Sequence, residues 1–173
     1  MDRRDFIGLA SAAGSTLMMG KHAFPATHDF VSHRPAIGDR KFVSIAVEQQ
    51  IVAVKSRIKD PELAWLFENC YPNTLDTTVF TGTRDGKPDS FVITGDIDAL
   101  WLRDSTAQVT PYLPLAKTDE KLRVMIRGLR HRHARSILLD PYAKAVLKDP
   151  NGKGWDDRPK NKPGVHERKW EVD

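Results

Sequence analysis

The run Gly95-Asp96-Ile97-Asp98-Ala99-Leu100-Trp101-Leu102-Arg103-Asp104-Ser105-Thr106 brings a tryptophan, an arginine and three aspartates together between a predicted strand and a predicted helix. Those residue types suit a sugar. An indole covers the apolar C–H face of a pyranose, and a planar guanidinium beside a carboxylate hydrogen-bonds to neighbouring hydroxyls. Trp101, Arg103, Asp104 and Asp96 are the candidate ligand-binding residues. Each type also has a structural use: Asp104 as a helix cap, Arg103 as a buried ion-pair partner, Trp101 as core, and Asp96 after Gly95 as a turn residue.

Other chemistry finds less support. His131 and His133 form an H-x-H pair, but on a helix the two rings point to different faces, and no neighbouring cysteine or acid completes a metal set. Cys70 is the single cysteine, so neither an intrachain disulfide nor a multi-thiolate site is available. With Leu63, Leu66 and Phe67 at helical spacing, Cys70 is expected to be a small apolar core residue. The net charge of +4 is mild for 173 residues, and no Lys/Arg block runs uninterrupted, so nucleic acid is not an expected partner.

The elements that must carry the run are mostly helical. Val43, Val47, Ile51, Val54 and Ile58 form a stripe that predicts a helix ending near Lys59. Asp60 and Pro61 restart a second helix as N-cap and first-turn residue. Pro72 ends the helical character. Thr77–Thr83 and Ser90–Thr94 are β-prone and flank Arg84-Asp85-Gly86-Lys87-Pro88, a hairpin pattern with Asp-Gly at its turn. Ser105 and Gln108 give an S-x-x-Q capping box that opens a third helix. Thr118-Asp119-Glu120 opens a fourth, with Leu122, Met125, Ile126, Leu129 and Ile137 as its buried stripe and Arg123, Arg127 and Arg130 on another face. That helix is expected to end near Asp140-Pro141.

The composition, 40% hydrophobic and 29% charged, is that of a globular domain. Three segments are expected. Residues 1–26 read as an export signal of the twin-arginine type, from Arg3-Arg4 ahead of the modest apolar run Ile7–Met19. The run is too short for a comfortable membrane span, so export to the periplasm or beyond, with no stable membrane anchor, is the expectation. Residues 27–41 read as a linker, and residues 42–173 as the domain. Glu167–Asp173 reads like the opening of an ordered element after a polar loop, Asp149–Gly164, so the chain is expected to be the N-terminal part of something larger.

The blocks Asn69–Thr78, Phe91–Ser105, Ile126–Leu129, Ile137–Ala143 and Glu167–Asp173 resemble, in order, glycoside hydrolase family 125. The resemblance covers roughly residues 42–173. It implies an exo-acting α-mannosidase that removes terminal α-1,6-linked mannose with inversion, without metal or other cofactor, and whose partner is a mannose-containing oligosaccharide or glycan. The implied fold is mainly α: part of an (α/α)6 six-hairpin toroid with a small β-hairpin. A complete toroid of about twelve helices exceeds this length severalfold at typical helix and loop lengths. An inverting glycosidase needs a carboxylic acid and a carboxylate base, and the resemblance puts both beyond Asp173, so no catalytic acid or base is assigned to this chain. It implies instead that Trp101, Arg103, Asp104, Asp96 and Asn73 grip the terminal sugar. For Asn73 and Asp76 the competing structural use is to stabilise the Pro72 loop rather than to touch sugar. The alternative reading is a non-catalytic carbohydrate-binding or structural relic of a split gene.

Overall fold

Asp85 and Gly86 both take positive φ, 51° and 71°, the two-residue turn whose twist matches that of paired strands. The computed structural model describes residues 30–148 except Ile97 and Lys144. In it the turn joins β1 (Val79–Arg84) to β2 (Lys87–Val92), antiparallel, with Arg84 opposite Lys87 and Val79 opposite Val92. The export signal and the Glu167–Asp173 block lie outside the described residues.

The described part is mainly helical, with α1 (Ile45–Lys55), α2 (Pro61–Cys70), α3 (Leu102–Val109) and α4 (Glu120–Leu139). Its central packing sets α4 across β2. Leu122, Met125, Ile126 and Leu129 of α4 are buried with Val79, Phe91 and Val92 of the hairpin and Val47 and Ile51 of α1. Gly128 makes the approach possible: a Cβ there would stand 2.5 Å from Ser90 Oγ and 3.0 Å from the Asp89 carbonyl carbon. A second ladder, unforeseen in the sequence, pairs β3 (Ala99–Leu100) with β4 (Val146–Leu147). All four of its residues are buried.

The helix boundaries show how side chains replace backbone partners. Asp60 accepts from the N–H groups of Glu62 and Leu63, as expected of the N-cap of α2. Asp119 caps α4 by accepting from Leu122 N at 3.0 Å, while its other oxygen accepts from Ser44 Oγ at 2.6 Å. Ser44 is itself the N-cap of α1 and accepts from Val47 N, so one carboxylate serves the starts of two helices. Burial opposes ionisation of Asp119, but the hydrogen bonds from Ser44, Leu122, Ala46 and Lys121 outweigh it and hold the carboxyl below its usual range.

Four expectations need correction. The first helix stops at Lys55 rather than near Lys59, because the N–H groups of Arg57 and Ile58 turn back to carbonyls only three residues away. Cys70 is exposed, as are Leu63 and Leu66. Phe67 and Tyr71 carry the packed face of α2, about a quarter turn away at the helical angle per residue. On α4 the buried stripe continues through Arg132 and Ser136, and Ile137 is exposed. Finally, α3 begins at Leu102, three residues before the expected capping box, and is preceded by Trp101 with no side-chain cap.

Arg132 occupies an apolar face because every part of its guanidinium is used. It pairs with both carboxylate oxygens of Asp89, donates to the Lys148 carbonyl at 3.1 Å and lies over the Phe91 ring at 5.2 Å. The segment from Phe30 to Arg40, part of the expected linker, crosses α2 and the loop after it. Val31 O accepts from the Trp65 indole at 2.6 Å, and His33 N donates to Asn69 Oδ1 at 2.7 Å. Arg34 then inserts between Asp76, through Nε at 2.7 Å and Nη2 at 3.1 Å, and Glu48, through Nη1 at 2.9 Å. Arg40 joins the same pair of carboxylates.

Candidate active site

Two loops leave the open end of the β1–β2 hairpin. One is the π turn Thr74–Thr78 that leads into β1, held by Thr77 and Thr78 hydroxyls donating to the carbonyls four residues back. The other is the loop after β2, tied to the first by Ile93 N donating to Thr78 O at 3.0 Å. Thr94 N then closes the second loop onto Ala99 O at 3.2 Å, which leaves Gly95, Asp96 and Asp98 exposed on it. Asn73 and Asp96 therefore emerge from the same end of the hairpin. Asn73 is exposed, and its Oδ1 sits 3.4 Å from Thr77 Oγ1 while its carbonyl accepts from the same hydroxyl.

Trp101 marks the passage from β3 into α3. Its N–H donates to Thr94 Oγ1 at 3.2 Å. Its carbonyl accepts from both Ser105 N at 2.9 Å and Ser105 Oγ at 2.7 Å. The residue is half-buried, so the indole is neither wholly core nor wholly surface. Arg103 and Asp104 follow in the first turn of α3, with Nη2 and Oδ2 3.4 Å apart and side chains 67% and 42% exposed. The exposure matters here because it separates the pair from buried structural ion pairs such as Arg34–Asp76, whose side chains are 6% and 2% exposed.

The structure thus brings Trp101, Arg103 and Asp104 together on one turn and sets Asp96 and Asn73 on loops from one end of the hairpin. Ser105, read in the sequence as a cap, is instead buried inside α3, where its Oγ also lies 2.8 Å from His133 Nε2 on α4. Burial holds His133 below its ordinary pKa. His131 does not join it, since its Nδ1 lies 3.0 Å from Pro88 O. Among the described residues no three His, Cys, Asp or Glu side chains form a metal-binding group. Among them, too, no helix is long and apolar enough to cross a membrane.

Residues 60–173 match the sequence pattern of the metal-independent α-mannosidases, glycoside hydrolase family 125. The chain belongs to that family. The match takes in every residue of the Trp101 turn and both loops at the hairpin's open end. A family relative, the meiotically up-regulated gene 157 protein of Schizosaccharomyces pombe, is 46% identical over 129 residues, which is 73% of this chain and 25% of that protein. A solved metal-independent α-mannosidase from Streptococcus pneumoniae, described as a non-productive substrate complex with α-1,6-mannobiose, is also 46% identical. It superposes with a TM-score of 0.59 over 66% of this chain and 26% of its own. The chain spans about a quarter of the length of these relatives.

Proposed function

We propose that this chain supplies the sugar-gripping portion of an exo-acting α-mannosidase that hydrolyses terminal α-1,6-linked mannose with inversion. In this reading the helices described here are the first of an (α/α)6 toroid. The observation that carries the reading is the Trp101 turn: within the family match, a backbone clamped on both sides presents a half-buried indole beside an exposed Arg–Asp pair. The substrate named for the Streptococcus relative supports the α-1,6 linkage.

The division of labour follows from donor and acceptor chemistry. Arg103 has only donors and fits sugar oxygens. Asp104 has only acceptors when ionised and fits hydroxyl hydrogens. Trp101 offers its ring to the C–H face of the terminal mannose, and Asp96 and Asn73 approach from the hairpin loops. A closed end of this kind recognises a chain terminus, and binding energy spent there is available to distort the ring towards its transition state. In this reading the acid and base belong to later parts of the family domain, so neither role is assigned to Trp101, Arg103, Asp104, Asp96 or Asn73. The segment with Arg3 and Arg4 directs export in the folded state.

The test is titration of the chain with α-1,6-mannobiose, followed by tryptophan fluorescence, for wild type, Arg103→Ala and Asp104→Ala. Saturable binding by wild type, weakened in both variants at unchanged melting temperature, supports the reading. Equal affinity in all three leaves the pair as surface charges and overturns the assignment. Loss of folding in both variants makes the pair structural.

A further inference from the structure

We infer that His133 is a positioning residue for the sugar site: its Nε2–H donates to Ser105 Oγ and so directs the Ser105 proton onto the carbonyl of Trp101. This deepens the reading of the Trp101 turn as a mannose grip and rests on it.

The assignment comes from counting protons. Ser105 Oγ has three polar neighbours: Trp101 O at 2.7 Å, Leu102 O at 3.2 Å and His133 Nε2 at 2.8 Å. Two of them are carbonyls, which only accept, and the hydroxyl has one hydrogen to give. If Nε2 were also an acceptor, three acceptors would compete for that hydrogen and two would be left facing an oxygen lone pair, whereas a donating Nε2 leaves only the more distant Leu102 carbonyl so placed. With the proton on Nε2, the histidine donates, the hydroxyl accepts, and the serine hydrogen goes to the nearer carbonyl, that of Trp101. Ser105 is 0% exposed, so water is not on hand to repair a wrong arrangement. Burial lowers the pKa of His133 and so favours the neutral ring, whose two nitrogens are distinct.

The consequence falls on Trp101. Residue 101 precedes α3 without a side-chain cap of its own. Its placement depends on Thr94, which holds its N–H from the hairpin loop, and on Ser105, which holds its carbonyl from within the helix. Thr94 belongs to the loop that also carries Asp96. His133 stands on α4, the helix packed across β2, and so ties the start of α3 to the most deeply packed element. A shift of the Trp101 carbonyl moves the indole and the following Arg103–Asp104 pair together. Small errors of that kind are costly to a site that works by fixed geometry.

Two measurements on the full 173-residue chain test this. In the first, the ring nitrogens of His133 are read by long-range 15N correlation. A neutral ring protonated at Nε2 is expected, and a neutral ring protonated at Nδ1 overturns the inference. In the second, His133→Gln, His133→Leu and Ser105→Ala are compared by the Trp101 indole resonance and by α-1,6-mannobiose affinity. The glutamine amide donates from near the Nε2 position, so His133→Gln is expected to keep both close to wild type. His133→Leu and Ser105→Ala are expected to shift the indole resonance and to weaken binding on the order of tenfold, as displaced groups in a positioned site do. If His133→Leu does not fold, Ser105→Ala decides by itself. An unmoved Trp101 resonance in Ser105→Ala overturns the inference. Wild-type chain that binds no mannobiose sinks the mannose reading alone, because the ring tautomer and the Trp101 resonance still decide the role of His133.

Discussion

Gly128 and Ser90 meet so closely that the space between α4 and β2 is set by the absence of one carbon. The Cβ of an alanine at 128 would fall 2.5 Å from Ser90 Oγ and 3.0 Å from two backbone atoms of Asp89 and Ser90. The serine hydroxyl can turn aside, but the strand backbone cannot without moving the hairpin. Gly128→Ala is therefore expected to destabilise the chain by about 1–3 kcal/mol, the usual cost of overpacking. In an exposed helix the same change would stabilise by roughly 0.5–1 kcal/mol. Urea unfolding gives the sign directly, and a gain in stability would mean the helix and strand part easily.

Arg34→Ala leaves the buried Asp76 carboxylate with Arg40 as its remaining partner, at 3.7 Å. Breaking a buried pair from one side typically costs about 3–5 kcal/mol, whereas exchanging both partners for apolar groups costs far less. The expected order of stability is wild type, then Arg34→Met with Asp76→Leu, then Arg34→Ala. Thermal melting of the three proteins checks it. If Arg34→Ala melts with wild type, the Phe30–Arg40 segment rests on the domain without holding it.

Acidification should weaken the fold in two stages. Burial depresses the pKa of His133, so below about pH 6.5 the unfolded chain takes up a proton that the folded chain refuses. Stability is then lost as the pH falls towards the folded value. The Arg34 guanidinium holds Glu48 below its usual range, and the same sign applies at lower pH: its contribution is complete above the ordinary carboxylate pKa and disappears as the pH falls through the depressed one. His133→Gln should flatten the first stage, and Glu48→Gln the second. Denaturant midpoints measured from pH 8 to pH 3 separate the two stages, and an unaltered first stage in His133→Gln would assign it to another group.

Replacing Arg3 and Arg4 together by lysine is expected to retain the protein in the cytoplasm, since export of folded chains by this route reads the arginine pair. Fractionation of cells expressing the two forms is the check. Equal export of both removes the twin-arginine assignment and leaves the rest of the reading intact.

Where local chemistry decides, the sequence was legible. The Asp-Gly turn, the Asp60 cap and the opening of α4 at Asp119 are each written in one or two residues whose backbone or side chain has few other uses. The run from Asp96 to Asp104 was visible because aromatic, cationic and anionic groups stood together. The failures have other causes. Cys70 and Ile137 are assigned from spacing, which identifies a helical face but not which face meets the core, and the start of α3 from an S-x-x-Q box whose serine lies buried inside the helix. A charged residue such as Arg132 displaces an apolar one from that face once Asp89, Phe91 and the Lys148 carbonyl surround it, and those partners lie up to 43 residues away in the chain. The Ser105–His133 contact was hidden for the same reason, since no local signal distinguishes a serine that caps a helix from one that braces it.

The carboxylate of Asp119 has a consequence for motion. Its two oxygens hold the first turns of α1 and α4, whose starts are separated by 75 residues. Ordinarily each helix frays from its own end, independently of its neighbours. Here Asp119 leads into α4, so opening that end moves the carboxylate whose other oxygen holds Ser44 and Ala46 at the start of α1. Slow amide exchange at Val47 and at Leu122 should therefore report one shared opening event rather than two. Exchange at both positions should quicken together when Asp119 is replaced by alanine. Two chain segments far apart in sequence are made to keep the same clock by a single side chain.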